Sequence, residues 1–155
     1  MATEKTTTRK AAGARLSIVV PVYNEEENIR PLYDRLTAAI APLTGGLEII
    51  FVDDGSVDGT RRAVEELHRE DRRVRLIGFT RNFGHEMATT AGLDFADGDA
   101  VVIIDADLQD PPEVIGEMLS RWEEGYDVVY GRRVGRKGEP LGKRLSSRIF
   151  YRLMR

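Results

Sequence analysis

The sequence has no cysteine and only two histidines in 155 residues. Disulfides and thiolate metal sites are therefore excluded, which fits a reducing compartment. Any metal has to be held by carboxylates, amides or imidazoles, and that favours hard ions such as Mg²⁺ or Mn²⁺. His68 and His85 lack the paired spacing of a zinc site, and His85 reads as a solvated loop residue. No apolar run approaches the ~18–20 residues of a membrane-spanning helix. Residues 1–15 carry a Thr6-Thr7-Thr8 run and no apolar stretch of signal-peptide type, so they read as a flexible tail. There are no internal repeats, and the length suits one domain with a single core.

Charge is present but unevenly spread. Residues 131–155 hold nine Lys/Arg against the single acid Glu139, a net +8, while the other 130 residues hold 14 basic and 25 acidic groups, a net −11. An acidic body is a poor partner for nucleic acid. The basic end suits phosphates or an anionic membrane. Within it, Leu141, Leu145, Ile149, Leu153 and Met154 fall near one helical face, with Lys143, Arg144, Arg148, Arg152 and Arg155 around it. Residues 136–155 therefore read as a basic amphipathic segment able to lie in a membrane interface. A helix packed on the domain with a solvated basic face is the alternative.

Five short apolar runs alternate with helical patterns. Leu16-Ser-Ile-Val-Val-Pro-Val22, Leu47-Glu-Ile-Ile-Phe-Val-Asp53, Val74-Arg-Leu-Ile-Gly78, Ala100-Val-Val-Ile-Ile-Asp105 and Asp127-Val-Val-Tyr130 read as strands. Nearly continuous apolar strands imply burial on both faces, as in a parallel sheet. Ile29, Leu32, Tyr33, Leu36, Ile40 and Leu43 form a helical stripe that Asn28 can cap, leaving Pro31 in the first turn. Asp58 is placed to cap a second helix, and a third runs from about Gly84 to Phe95. Asp110-Pro111-Pro112-Glu113 has the order of a capping acid, a first-turn proline and a capping-box Glu, opening a fourth. Asp110 thus reads as a cap rather than a ligand. The expected fold is α/β: an open, mostly parallel, Rossmann-like sheet with helices on both faces.

In such sheets ligands bind beyond the carboxyl ends of the strands. Those ends are polar here: Pro21-Val-Tyr23-Asn24-Glu25, Asp53-Asp54-Gly55-Ser56, Thr80-Arg81-Asn82, Asp105-Ala106-Asp107-Leu108-Gln109 and Gly131-Arg132-Arg133. Residues i and i+2 on extended backbone face one side, so Asp105 and Asp107 would repel unless a cation sits between them. A divalent ion resolves that repulsion, and Gln109 can add a neutral oxygen. Mg²⁺ keeps one or two protein carboxylates and takes substrate phosphates as further ligands, which is what a nucleoside diphosphate offers. Asp53 and Asp54 can accept from a base N–H or a ribose hydroxyl, although Asp-Gly also marks a turn.

Together, Ser17-Ile-Val-Val-Pro-Val-Tyr-Asn-Glu-Glu26, Val52-Asp-Asp-Gly-Ser56, Arg81-Asn-Phe-Gly84 and Asp105-Ala-Asp-Leu-Gln-Asp-Pro-Pro-Glu113 resemble the inverting family-two glycosyltransferases of GT-A fold. The resemblance covers roughly residues 16–135 and is nearest the polyprenyl-phosphate branch, which includes dolichol-phosphate mannose synthases and bacterial enzymes that load sugars onto undecaprenyl phosphate. It implies that Pro21, Tyr23, Glu25, Val52 and Asp54 line the nucleoside pocket with Asp53 beside them. Asp105 and Ala106 would lie at the ribose and diphosphate, and Asp107 and Gln109 at the metal. Arg132 would reach the diphosphate or the acceptor phosphate, and Arg81 the acceptor side. Asp107 and Arg132 are the candidate catalytic residues.

The implied reaction transfers a sugar from a UDP- or GDP-linked donor to a polyprenyl phosphate, at the inner face of the cell membrane. A polysaccharide or other soluble acceptor is the alternative, as is a fragment that binds nucleotide-sugar without transfer. The family pattern continues beyond the point where this chain ends, with another acceptor-side Asp and membrane helices, so a short or truncated relative is expected. Self-association stays open. A receiver-type signalling domain shares the acidic pair, but it needs an Asp ending strand three and a Lys ending strand five, where this chain has Gly78 and Gly131.

Overall fold

The structure, a computed structural model, describes residues 13–40, 43 and 45–132. Nearly all of the expected N-terminal tail, the amphipathic segment 136–155 and Arg133 lie outside the described residues. Among the described residues four strands and four helices alternate: β1 (Arg15–Val22), α1 (Glu26–Ile40), β2 (Gly46–Asp53), α2 (Thr60–Glu70), β3 (Val74–Gly78), α3 (His85–Asp94), β4 (Ala100–Ile103) and α4 (Ile115–Glu123), the last preceded by a 3₁₀ turn, Pro112–Val114. The sheet is parallel throughout, in the order β3-β2-β1-β4.

Strand alternation splits the core in two. Leu16, Ile18, Val20 and Val22 of β1, with Leu47, Ile49 and Phe51 of β2, face α1, α2 and α4. Val19, Ile50 and Val52 face α3 on the other side. Helices thus cover both faces, as the apolar strands required. The helical stripe of α1 is realised by Ile29, Leu32, Leu36 and Ile40, each fully buried, and each such side chain contributes about 1.5–3 kcal/mol by leaving water. α3 works differently. It buries only Ala88 and Gly92, so its backbone lies close on the sheet, and a Cβ at Gly92 would collide with Val19.

A polar cluster ties the lower end of the sheet. Glu48 is 3% exposed. It accepts from the Ser17 hydroxyl (2.5 Å), the Asp97 N–H (2.8 Å), Arg75 (2.9 Å) and Arg15 (3.1 Å). Burial pushes its carboxyl upward, but these donors outweigh that and hold it below the usual range.

Several local expectations are corrected. Asp127–Tyr130 forms no strand, and Val128 and Tyr130 are largely exposed; an extended segment needs a ladder partner, and none exists among the described residues. α1 begins at Glu26, before Asn28, which bonds Glu25 instead (2.6 Å), so Pro31 sits inside the helix. The cap residue of the 3₁₀ turn is Pro111 and that of α4 is Val114, neither with a side-chain cap bond. Glu113, freed of a capping role, pairs with Arg35 of α1 (2.8 Å). The cap residue of α2 is Gly59 and not Asp58, but Asp58 still holds the first helical residue, accepting the N–H and hydroxyl of Thr60 (2.9 and 2.6 Å). Among the described residues no helix is long and apolar enough to cross a membrane.

Candidate active site

A cleft of about 310 Å³ opens at the carboxyl ends of the strands. It is lined by Pro21, Val22, Tyr23 and Glu25 after β1, by Asp54 after β2, by Asn82, Gly84, His85 and Ala88 at the head of α3, and by Asp105, Ala106 and Asp107 after β4. The order β3-β2-β1-β4 places β1 between β2 and β4, so the loops after β2 and β4 flank the one after β1.

The loops are fixed by side-chain bonds to backbone. Asn24, at φ 56°, accepts the Val57 N–H (2.9 Å), while its own N–H donates to the Ser56 hydroxyl (2.9 Å). This reciprocal pair locks the end of β1 to the end of β2. Asp53 is buried and accepts the Ser56 N–H (2.9 Å), shaping the turn at Gly55, whose φ is 73°. A side chain there would also strike the Arg81 backbone, so glycine is required twice over. Asp54 is 3% exposed and accepts the Phe83 and Gly84 N–H groups (2.7 and 2.9 Å), holding the loop before α3.

After β4, the Ile104 N–H still bonds Val19 (3.1 Å), and then the chain leaves the sheet. Alternation persists for three more residues: Ala106 is buried while Asp105 and Asp107 are exposed and line the cleft. Asp107 accepts the Gln109 N–H (3.0 Å), which fixes its carboxylate across a turn where Leu108 adopts φ 60°. Neither carboxylate pairs with a Lys or Arg among the described residues; the nearest basic group is His85, 3.7 Å from Asp105.

Two open carboxylates at a cleft mouth fit a hard divalent ion. Among the described residues no three acidic or imidazole side chains are close enough to cage one alone. An ion held here would take its remaining ligands from a bound diphosphate, as Mg²⁺-type sites do.

Not every sequence candidate reaches the cleft. Pro21, Tyr23, Glu25, Asp54, Asp105, Ala106 and Asp107 line it. Val52 is buried in the smaller core instead, because its strand parity turns it toward α3. Asp53 supports the turn from below. Arg81 stacks on Phe83 (4.4 Å to the ring centroid) and does not line the cleft. Gln109 is exposed beyond Asp107, and Arg132 lines a separate cavity with Asp110 and Ile115. His85, which reads from the sequence as a solvated loop residue, instead heads α3 and lines the cleft, together with Asn82 and Gly84 of the same segment. Their signal was Asp54, whose two oxygens demand nearby donors, but the sequence does not say which loop supplies them.

Comparison with known proteins agrees with this architecture. Residues 17–155 match the model of "Glycosyl transferase family 2". The uncharacterized glycosyltransferase YkcC of Bacillus subtilis is 51% identical over 138 residues, which are 89% of this chain and 43% of that protein. A bactoprenol glucosyl transferase of Shigella phage SfV is 43% identical over 139 residues, 90% of this chain and 45% of that one. The chain thus spans less than half the length of these relatives. Among solved structures, a mannosyltransferase of Pyrobaculum calidifontis in complex with GDP-Man and Mn²⁺ matches with a TM-score of 0.55 and 30% identity, over 63% of this chain and 33% of that one. On the strength of the family match and the GT-A-like sheet, this chain belongs to glycosyl transferase family 2.

Proposed function

We propose that the chain is the donor-binding part of a hexosyltransferase, moving a sugar from a UDP- or GDP-linked donor to a polyprenyl phosphate with inversion. The observation that carries this reading is the exposed Asp105/Asp107 pair lining one cleft with Asp54 and Tyr23. The lipid acceptor rests on relatives named bactoprenol glucosyl transferase and on the +8 charge of residues 131–155.

In this reading Pro21, Tyr23, Glu25 and Asp54 receive the nucleoside, and Asp105 and Asp107 hold Mg²⁺ or Mn²⁺ at the diphosphate. The ion's chemistry is stabilisation of the charge that grows on the departing diphosphate. Asp107 keeps its orientation through the Gln109 N–H, so its outward oxygen is preset. The acceptor phosphate is already ionised at neutral pH and needs no general base. It attacks the anomeric carbon opposite the leaving group, which inverts the centre. Arg81 and Arg132, standing off the cleft, are left to the acceptor side, and residues 136–155 to the inner membrane surface.

The test is a thermal-shift panel of UDP- and GDP-sugars with and without divalent metal, repeated on Asp107→Asn. A ligand that binds the folded state raises the midpoint. Metal-dependent stabilisation by one base series, lost in the variant, is expected; no shift with any nucleotide overturns the reading. Radiolabel transfer to polyprenyl phosphate in anionic liposomes then separates transfer from binding alone.

A further inference from the structure

We infer that His85 is a diphosphate-binding residue of this cleft, donating an imidazole N–H to the distal phosphate of the bound nucleotide. The inference deepens the donor-site reading and rests on it.

Charge is the starting point. Four of the side chains lining the cleft are carboxylates: Glu25, Asp54, Asp105 and Asp107. A diphosphate cannot settle among them without donors and positive charge close by. One divalent ion meets part of that need. The arginines that the sequence offered are elsewhere, Arg81 over Phe83 and Arg132 in another cavity. Among the described residues His85 is the only basic side chain on the cleft wall.

Position supports the same role. Both oxygens of Asp54 hold the Phe83 and Gly84 N–H groups, so the residue that follows, the first of α3, is carried to the wall by a fixed loop. The Nε2 of His85 is 3.7 Å from Asp105 Oδ1, too long for a hydrogen bond. The ring therefore stands beside the carboxylate pair without being consumed by it. It is 62% exposed, so it can turn toward a ligand at little cost. A neutral imidazole already carries one N–H, so the role does not depend on protonation. The ring stands beside Asp105, one of the two carboxylates that would hold the ion at the diphosphate, so a phosphate and not the base is what it would meet.

The test compares diphosphate with monophosphate. UDP and UMP, and GDP and GMP, are titrated calorimetrically in Mn²⁺ against the native chain, His85→Ala and His85→Gln. Melting midpoints serve as a folding control. The diphosphate Kd of His85→Ala is expected to rise about tenfold, the scale of a hydrogen bond to a charged group, while the monophosphate Kd changes less than twofold. His85→Gln, which keeps an N–H donor, recovers part of the loss. An unchanged diphosphate-to-monophosphate ratio in His85→Ala overturns the inference and leaves the donor-site reading standing. Failure of the native chain to bind any of the four nucleotides removes both.

Discussion

Asp54 is bonded through one oxygen to the N–H of Gly84 (2.9 Å) and through the other to its neighbour Phe83 (2.7 Å), so a carboxylate ending β2 fixes the loop that heads α3. The acid is buried but borders the cleft. It is thus a structural clamp and a wall of the site at once.

Asp54→Asn replaces one accepting oxygen with an amide that opposes a backbone donor. It is expected to lower stability by about 1–3 kcal/mol. Amide exchange at Phe83 and Gly84 should quicken well beyond that of the β1 and β2 core. Exchange rates measured by NMR check this, and equal rates in variant and native protein would refute the clamp.

Gly92→Ala is expected to cost about 1–3 kcal/mol through overpacking, because the new methyl meets Val19, a β-branched and fully buried side chain with no room to yield. Adding Val19→Ala should give back part of that loss even though Val19→Ala alone is destabilising. Urea denaturation of the four proteins in this cycle reads the coupling.

Glu48→Gln leaves the donors of Ser17, Asp97, Arg15 and Arg75 sharing a single carbonyl oxygen. About 1–3 kcal/mol should be lost at pH 7. The folded carboxyl titrates below its ordinary 4.5, so the charge-dependent part is present in full above that pH and is lost as pH falls through the folded value. Stability curves of native and variant protein should converge in acid; a constant gap down to pH 2 contradicts the account.

Asp71 tests the same linkage at another place. A hydrogen bond from the Arg73 side chain, then the Arg73 N–H and the Tyr33 hydroxyl, depress its carboxyl from 3.8 to about 2. The shift is worth at most about 2 kcal/mol, and less after solvent screening. Asp71→Asn should lose that amount at neutral pH. The difference should shrink between about pH 4 and pH 2, since the unfolded acid protonates first and the folded one last. Thermal unfolding at half-unit pH steps checks it.

Much of the fold could be read from the order of apolar runs. Four of the five expected strands form at nearly their expected positions, because Val, Ile and Phe runs of that length bury themselves whatever surrounds them. The fifth needed a ladder partner, which no local pattern can announce. Capping was less legible. Asn28 and Asp110 have the right chemistry for caps, but a side chain takes the best partner in space, and the Asn28 amide donates to the Glu25 carboxylate instead (2.6 Å).

The sequence by itself determined that acids end the strands: Asp53, Asp54, Asp105 and Asp107 follow apolar runs, and parallel strands end on one side. The i, i+2 spacing of Asp105 and Asp107 also survived, because Ala106 is small and apolar and turns inward. Tertiary structure alone decided which polar residues share the cleft. His85 and Asp105 are 20 positions apart in the chain, and only the placement of α3 against β1 and β2, with β4 beside β1, brings them within 3.7 Å. Strand parity likewise buried Val52, and stacking on Phe83 drew Arg81 away. The physical reason is that periodicity encodes which face a residue takes within its own element, while neighbours across elements are set by packing.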